Sequence, residues 1–200
     1  MLKTIKIVKK IILFFFIISI FFPLYPVFCS DYNSKSIFPK DCSKEHKEFI
    51  VKYVFDGDTI LVETPRHSVS NNISRFKIRL VGIDAFELNQ LPYGQKSKDF
   101  LAMLVLGKNV CIETDINEKD VYGRILGYVF VDEQVFINEE LLKSGNAILS
   151  DFPPNIKYIK ELKEAQILAR KSMIGIWEKQ DFIPQTPSQF RHSNKKHKRS

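Results

Sequence analysis

The sequence predicts an α+β domain built on a small, closed β-barrel of five strands, with about three helices. Two observations favour this fold class. Five segments have the alternation and the composition of strands, and a strongly helical segment lies between the third and the fourth of them. The chain has 200 residues, of which 44% are hydrophobic and 26% are charged. This length and composition are typical of one globular domain with additional residues at its ends.

The predicted strands begin with a hairpin. Apolar and polar residues alternate from Phe49 to Val62, and Asp56-Gly57 lies in the middle of this run. That pattern predicts two strands joined by a tight turn. The other three predicted strands are Arg75 to Ile83, Asn109 to Thr114 and Arg124 to Val131.

The helices are predicted from apolar residues spaced three or four apart. The first runs from Tyr93 to Leu106 and ends at Gly107, and a short one runs from Asn138 to Lys143. For the last helix we predict Asn155 as the cap, with a buried face formed by Ile156, Ile159, Leu162, Ala165 and Ala169. Five strands with an interleaved helix fit a small barrel such as the OB-fold, which commonly binds oligonucleotides.

The sequence of residues 1–29 predicts an export signal. They contain four lysines, no acid, and an apolar run from Ile11 to Phe22 that two prolines follow. The run is short for a membrane span, but further apolar residues extend it, so an uncleaved membrane anchor is the alternative. Either reading predicts that the rest of the chain is secreted or otherwise extracytoplasmic. We expect a linker at 30–45 and the folded domain at 46–180.

Two cysteines remain after such a signal is removed. An oxidising compartment would permit a disulfide between Cys42 and Cys111. The alternative is two free thiols, one of them buried on a strand. The sequence leaves both possibilities open, because it does not give the distance between the two residues.

The formal net charge of +7 is concentrated at the two ends of the chain. Residues 1–29 hold four basic residues and 191–200 hold five, with no acid in either segment, so the residues between them carry 21 bases and 23 acids. Bulk charge is therefore no evidence that the folded domain binds polyanions. We predict a disordered basic tail at 181–200. A functional tail that binds nucleic acid, envelope polymers or acidic lipid is the alternative.

Two acids are predicted to lie where strands end. Asp58 follows the hairpin turn at Asp56-Gly57, and Asp84 follows the third strand. Carboxylates on neighbouring turns can converge on one calcium ion, which prefers oxygen ligands. Taken alone, the Asp56-Gly57 pair is more simply explained by ordinary turn chemistry.

Two arginines are predicted on regular strands close to these acids. Arg79 lies within an apolar run, and Arg124 begins the fifth strand. The planar guanidinium group matches the oxygens of a phosphate, so both residues suit a phosphodiester ligand. For Arg79 alone, an outward-facing side chain beside Lys77 is the simpler interpretation.

Six motifs, in order, resemble those of the staphylococcal nuclease family over roughly residues 46 to 180. An arginine and an aspartate five residues apart are part of this resemblance. The motifs are Val54-Phe55-Asp56-Gly57-Asp58-Thr59, Arg79-Leu80-Val81-Gly82-Ile83-Asp84-Ala85 with Glu87, Tyr93-Gly94-Gln95, Asp120-Val121-Tyr122-Gly123-Arg124, Asn138-Glu139, and Gly175-Ile176-Trp177.

The resemblance implies specific roles for residues of this chain. Asp58, Asp84 and the carbonyl of Ala85 correspond to calcium ligands. The catalytic residues it implies are Arg79, Glu87 and Arg124, and Tyr122 corresponds to a tyrosine that contacts a substrate phosphate. The chain departs from the family at three places: Phe86 replaces a proline, Ser97 replaces an alanine, and the tyrosines expected near residues 150–152 are absent.

The resemblance also implies an activity. We expect a calcium-dependent nuclease that hydrolyses DNA, RNA or both by in-line attack of water and leaves 3′-phosphate ends. We expect a monomer with no obligate protein partner, and membrane contact only if the N-terminal segment is uncleaved. The alternative is a catalytically silent nucleic-acid-binding module of the same fold.

Overall fold

The computed structural model describes residues 38–39, 41–44, 47–65, 73–132, 134–178 and 185–197, with only the backbone at 195–197. All of them belong to one unit that spans 36–200. The segment expected to be an export signal or anchor lies outside the described residues. Within the described part, no helix has the length and apolar character needed to cross a membrane.

Eight strands and four α-helices make up the described domain. The strands are β1 Glu48–Val54, β2 Thr59–Glu63, β3 Arg75–Leu80, β4 Ile83–Ala85, β5 Asn109–Glu113, β6 Ile125–Val131, β7 Val135–Phe136 and β8 Ala147–Leu149. The helices are α1 Tyr93–Val105, α2 Ile137–Lys143, α3 Ile159–Lys171 and α4 Pro187–His197, and a 3₁₀ turn spans Gly175–Trp177.

Five of the strands close into a barrel. β1 pairs with β2 and β5, while β3 and β6 pair with the outer sides of β2 and β5, all antiparallel. A parallel pairing of β3 with β6, with Ile78 opposite Ile125, closes the ring. The predicted α+β class and five-stranded barrel are therefore confirmed, and the described residues contain four α-helices where about three were expected.

The barrel interior is filled by the apolar residues that alternate along its strands. Helices α1, α2 and α3 cover the barrel with their own apolar faces, so one core joins the barrel to all three helices. Fully buried members of this core include Val51, Ile60, Ile78, Leu80, Ile112, Val129, Leu101, Leu141 and Leu162. The shared core fixes the barrel end that carries the acids relative to the helices.

A buried asparagine holds the closing seam of the barrel. Asn138 on α2 is 0% exposed. Its Oδ1 accepts a hydrogen bond from the Val129 amide over 3.0 Å, and its Nδ2 donates to the carbonyl of Val81 over 2.8 Å. Because these two backbone groups belong to β6 and to the turn after β3, Asn138 satisfies polar groups that strand pairing leaves open. This contact explains the Asn138-Glu139 motif as a structural one.

The predicted third strand is two short strands. β3 ends at Leu80, and the chain turns at Gly82, whose φ is +79°. Glycine suits this left-handed conformation because it has no Cβ. β4 then pairs with β8, which places Asp84 opposite Ile148 in a second, two-stranded sheet. Asp84 therefore lies on a strand and not in the loop that the sequence had suggested.

The last predicted helix begins later than expected. α3 begins at Ile159, with Tyr158 as its cap residue. Asn155 is buried and does not cap the helix, because its side chain exchanges two hydrogen bonds with the backbone of Asn117, at 2.8 and 2.7 Å. Ile156, expected on the buried face, is 51% exposed.

Part of the segment expected to be a linker is packed on the barrel. Cys42 and Cys111 form a disulfide with a Cα–Cα distance of 6.0 Å, which decides between the two possibilities left open by the sequence. Phe38 stacks on Phe49, with 5.0 Å between the ring centroids. The carboxylate of Glu113 accepts hydrogen bonds from the Cys42 amide and from the Lys157 and Tyr158 side chains, each at 2.6 Å. The packed domain thus extends to residues before 46.

The segment expected to be a disordered tail contains α4. Thr186 and Gln189 form a capping box: the Thr186 amide donates to Gln189 Oε1 over 3.0 Å, and the Gln189 amide donates to Thr186 Oγ1 over 3.3 Å. Proline at the first helical position favours the same start. Hydrogen bonds between neighbouring residues therefore favour the start of a helix in a segment whose composition predicted disorder.

Candidate active site

The predicted site residues converge on one open cavity of about 330 Å³. Side chains from the hairpin turn, β3, β4, the loop after β4, the turn before β6 and α4 surround it. The lining residues are Asp56, Asp58, Arg79, Asp84, Ala85, Phe86, Glu87, Tyr122, Arg124, Phe152 and Arg191. All seven residues expected from the sequence are in this set.

The hairpin turn holds Asp58 against β4. Asp56 Oδ1 accepts a hydrogen bond from the Asp58 amide over 3.1 Å, which is the turn chemistry expected of this sequence. Asp58 Oδ2 accepts a hydrogen bond from the Ala85 amide over 2.9 Å. A Cβ on Gly57 would lie 2.5 Å from Cβ of Ser97 and 2.7 Å from Cβ of Ala85. Glycine is therefore required here for the turn to approach β4 and α1.

Arg79 is buried between the two acids. Its Nε lies 3.2 Å from Asp58 Oδ1, and its Nη2 lies 3.3 Å from Asp84 Oδ1. The carbonyls of Leu80 and Ile83 accept further hydrogen bonds, of 2.5 and 3.0 Å. Its side chain is only 7% exposed, so the interpretation of Arg79 as a surface residue exposed beside Lys77 is wrong, although the two share a face of β3. One guanidinium group thus fixes both carboxylates relative to each other.

The pKa values of two acids in this cavity are raised. Burial raises the pKa of Asp84, and the nearby Arg191 and Arg79 act against this effect. Burial and then the neighbouring carboxylate of Asp58 raise the pKa of Asp56 to about 6. Both directions follow from negative groups crowded together with little water, an arrangement that a bound cation would relieve.

The loop after β4 presents Glu87 to the cavity. The Glu87 amide donates to Gln90 Oε1 over 3.0 Å, and the Gln90 amide donates to the Glu87 carbonyl over 2.7 Å. A Cβ on Gly94 would collide with the Glu87 carbonyl, which explains the glycine at the start of α1. The Glu87 side chain is 37% exposed, so water can reach it.

Phe86, which replaces the family's proline next to Glu87, fixes this loop by burying its ring. It is 1% exposed and packs with Ala169, Ile176 and Trp177 in a small second core. Its ring centroid lies 5.4 Å from that of Tyr93. Apolar burial therefore fixes the backbone at Phe86, where the related family has a proline whose ring would restrict it.

The other two departures are also accommodated. The hydroxyl of Ser97 donates a hydrogen bond to the carbonyl of Asn146, so the added polar group has a partner. Near residues 150–152, Phe152 lines the cavity, and its ring centroid lies 5.5 Å from the guanidinium carbon of Arg79. An aromatic face is therefore present there without the hydroxyl that a tyrosine would supply.

Arg124 and Tyr122 form the opposite wall. Asp120 Oδ2 accepts from Arg124 Nε over 2.6 Å, and Asp120 Oδ1 accepts from the Tyr122 and Arg124 amides over 2.9 Å. Burial opposes ionisation of Asp120, but the hydrogen bonds from Arg124 outweigh this effect and lower its pKa. Asp120 therefore holds Arg124 by Nε, which allows the Nη edge of the guanidinium group to meet a ligand. Tyr122 is 80% exposed.

A third arginine, which the sequence did not suggest, lies across the acids. Arg191 on α4 donates from Nη1 and Nη2 to the two carboxylate oxygens of Asp84, over 3.1 and 2.7 Å. Its Nη1 also donates to Glu87 Oε1 over 2.8 Å. Hydrogen bonding to Asp84 raises the pKa of Arg191 further above its ordinary value.

Sequence reasoning missed Arg191 and Gln90. The start of α4 was readable from Thr186-Pro187-Ser188-Gln189, but nothing local indicates that a helix contacts acids about a hundred residues away. Gln90 is 8% exposed, and its side chain joins the Glu87 amide to the carbonyl of Gln185. A buried glutamine in a polar loop has no sequence signature.

The donor set of the cavity fits a hard cation only with help from other oxygens. Among the described residues, no group of three or more His, Cys, Asp or Glu side chains is arranged to hold a metal ion. Asp58 and Asp84 nevertheless supply two carboxylates, and Arg191 shows that a cationic group can bridge Asp84 and Glu87. Calcium is commonly completed by backbone oxygens and water, so these residues suit calcium and lack the nitrogen or sulfur ligands of zinc.

Comparison with known proteins agrees with the motifs. The family model described as staphylococcal nuclease homologue matches residues 77–179, about half of the chain. A thermonuclease of Staphylococcus intermedius is 33% identical over 138 residues, which are 66% of this chain and 77% of that protein. A thermonuclease of Staphylococcus hyicus is 35% identical over 129 residues, or 62% and 72% of the two chains.

A third relative comes from a different genus than the two thermonucleases. A protein of Haemophilus influenzae, named an uncharacterized endonuclease, is 36% identical over 155 residues, which are 77% of this chain and 78% of that protein. The family match and the coverage of these relatives confirm the resemblance drawn from the motifs. The chain belongs to the staphylococcal nuclease family.

Proposed function

We propose that the chain is an exported, calcium-dependent nuclease that hydrolyses phosphodiester bonds in DNA, RNA or both and releases 3′-phosphate ends. The observation that carries the proposal is the convergence of Asp58, Arg79, Asp84, Glu87 and Arg124 on one open cavity. Three relatives whose names state a nuclease activity support it. A phosphodiester needs both charge neutralisation and a base, and the cavity contains groups for each.

Asp58, Asp84 and the carbonyl of Ala85 would hold the calcium ion. When bound, calcium supplies positive charge that polarises the phosphate and compensates the crowded acids. The rigid attachment of both acids to Arg79 keeps their carboxylates in place before the ion arrives. Such preorganisation lowers the cost of assembling the site.

The arginines and Glu87 share the remaining chemistry. The oxygen of a water molecule forms a bond to phosphorus while the bond from phosphorus to the 5′ oxygen breaks. Glu87 accepts the proton of the attacking water, and the 5′ oxygen takes up a proton as it leaves. Arg79 and Arg124 lie on the cavity wall and neutralise the charge that grows on the phosphoryl oxygens. Charge stabilisation dominates, because phosphoryl transfer requires little covalent work from the protein.

Export is the second part of the proposal. The disulfide between Cys42 and Cys111 supports it, since disulfides form and persist mainly in oxidising compartments. The lysine-bearing apolar segment at 1–29 supports it as well. Recovery of the mature protein from the cytoplasm, with both thiols reduced, would contradict it.

The test is a cleavage assay of the purified protein on plasmid DNA and on RNA, with calcium or with a chelator. Asp58→Ala and Asp84→Ala should each abolish cleavage while circular dichroism shows a folded barrel. Asp99→Ala, which removes an exposed acid from α1, is the matched control and should cleave normally. Nucleic-acid binding without cleavage in calcium would instead establish the silent binding module. Full activity of Asp84→Ala would show that the site lies elsewhere.

A further inference from the structure

The C-terminal helix α4 lies on the proposed calcium site. Arg191 holds both oxygens of Asp84, at 3.1 and 2.7 Å, and one oxygen of Glu87, at 2.8 Å. Asp84 is a proposed calcium ligand, and Glu87 is the proposed base. A single side chain of this protein therefore occupies two groups that catalysis requires to be available.

A second contact anchors the same segment. Gln90 Nε2 donates to the carbonyl of Gln185 over 2.8 Å, and Gln90 Oε1 accepts from the amide of Glu87. The residues just before α4 are thus joined to the loop that carries Glu87. The capping box at Thr186 fixes where the helix begins, and Arg191 follows on its second turn. The position of Arg191 is therefore set by a defined helix with two contacts to the site.

We propose that α4 is an autoinhibitory element: Arg191 and calcium compete for Asp84, and calcium binding releases the helix. This inference rests on the proposed function, because it assigns Asp84 to calcium. A guanidinium group and a calcium ion both require the carboxylate oxygens of Asp84, so the two cannot bind there together with full contact. The nuclease is thereby held inactive at low calcium and becomes active where calcium is abundant.

The competition predicts a measurable change in the affinity for calcium. If the helix-bound state is populated to about 90%, the apparent calcium affinity is about tenfold weaker than that of the free site. Arg191→Ala should therefore tighten calcium binding by roughly 5- to 50-fold. The same substitution should lower the unfolding temperature in chelator, because Asp84 and Glu87 lose their counter-cation, and this loss should shrink in saturating calcium.

The experiment is calorimetric titration of calcium into the full-length protein without nucleic acid, for wild type, Arg191→Ala and Arg75→Ala. Arg75 pairs with Glu63 on the barrel, so Arg75→Ala removes an equivalent ion pair outside the cavity and should change nothing. Trypsin cleavage after Arg191, followed by mass spectrometry, gives a second measurement. Wild type should be protected in chelator and cleaved faster in calcium.

The outcomes separate this inference from the proposed function. If wild type and Arg191→Ala bind calcium equally tightly, the competition does not exist. If Arg191→Ala leaves calcium binding unchanged but raises KM for nucleic acid, Arg191 is a phosphate ligand and the autoinhibitory reading is overturned. If no variant binds calcium at all, the proposed calcium dependence fails, and the competition for Asp84 fails with it.

A separate observation concerns an exposed strip of aromatic and basic residues on the barrel. Tyr53 and Phe55 lie 5.0 Å apart by ring centroids, and Tyr53 is 50% exposed. The ammonium group of Lys77 lies 4.1 Å from the Phe55 ring centroid, and that of Lys98 lies 5.5 Å from the Tyr53 ring centroid. Aromatic faces bordered by cations are typical of surfaces that bind single-stranded nucleic acid.

The strip continues from the cavity. Lys77 and Arg79 are two residues apart on β3, so they lie on the same face of the strand, about 7 Å from each other. Across the sheet, Leu61 pairs with both Tyr53 and Lys77. Phe55 also directly precedes Asp56, which lines the cavity. The geometry points to a subsite for unpaired nucleotides of the substrate strand, in which a base stacks on Tyr53 and a phosphate meets Lys77.

Substrates of two lengths test the subsite. Tyr53→Ala should raise KM for a single-stranded oligonucleotide of about twelve nucleotides by roughly tenfold, since the stacking of one base on an aromatic ring contributes about that factor to affinity. KM for a dinucleotide, which does not reach the strip, should stay the same, and so should kcat. Leu168→Ala, an exposed apolar residue on α3, is the control. An unchanged KM for the long substrate, or an equal rise for both substrates, would overturn this assignment.

Discussion

The disulfide between Cys42 and Cys111 should contribute much of the stability of the domain. The two residues are 69 positions apart, so the bond closes a long loop in the unfolded chain. The chain-entropy relation gives about 4 kcal/mol for a loop of this length. Replacing both cysteines by alanine should therefore lower the free energy of unfolding by about 4 kcal/mol. For a domain of this size the unfolding temperature should fall by roughly 10 °C.

Urea unfolding followed by fluorescence of Trp177 measures this difference. Wild type with a reducing agent should unfold at the same urea concentration as the double variant, and the double variant should be insensitive to the reducing agent. Nuclease activity of the folded double variant should be retained, because neither cysteine lines the cavity. If oxidised and reduced wild type share one midpoint, the loop-closure argument is refuted, and the free-thiol interpretation of the sequence becomes the better one.

Further predictions concern the site and its supports. Glu87→Gln should lower kcat by roughly 10² to 10⁴ with little change in substrate binding, and near-normal turnover in saturating calcium would exclude Glu87 as the base. Arg124→Lys should lower kcat by about 10² or more, because an ammonium cannot meet Asp120 and a phosphate as a planar fork does; a change in KM alone would assign Arg124 to ground-state binding. Glu113→Gln should cost about 2–3 kcal/mol in urea unfolding, since it brings an amide nitrogen toward the donors of Cys42, Lys157 and Tyr158, and unchanged stability would show that this network is not needed. Asn138→Ala should cost roughly 3 kcal/mol by leaving the Val81 carbonyl and the Val129 amide unsatisfied, and a loss below about 1 kcal/mol would indicate that water replaces the amide.

The sequence predicted those parts of the molecule that local patterns determine. Alternation in Phe49 to Val62 gave the first hairpin, and the motif residues gave the cavity lining. The hairpin is encoded within a short stretch of chain, where side-chain period and turn chemistry act directly. The roles of the acids and arginines were implied by the resemblance of their motifs to the nuclease family, because the local pattern alone favoured an outward-facing Arg79.

The parts that were missed depend on distant partners. The β4 strand has three residues, and its partner β8 lies more than sixty residues later. Asn155 looked like a helix cap but binds Asn117, which is 38 residues away. Arg191 meets Asp84 across 107 residues. In each case a long-range contact outweighs the local preference, and no property of the local sequence reports the partner.

The distribution of charge shows the same difference between what the local sequence indicates and what long-range contacts produce. Between the basic ends, the chain holds slightly more acids than bases, and this balance gave no evidence that the folded domain binds polyanions. The structure nevertheless brings Arg79, Arg124 and Arg191 into one cavity and places Lys77 beside it. A phosphodiester in the cavity experiences the electrostatic potential of the charges near it. Surface charges more than about 10 Å away contribute little, because water and salt screen them. Net charge is therefore a poor guide to substrate here. Arg191, which the composition counted as part of a solvated tail, has its charge where the site's own acids require one.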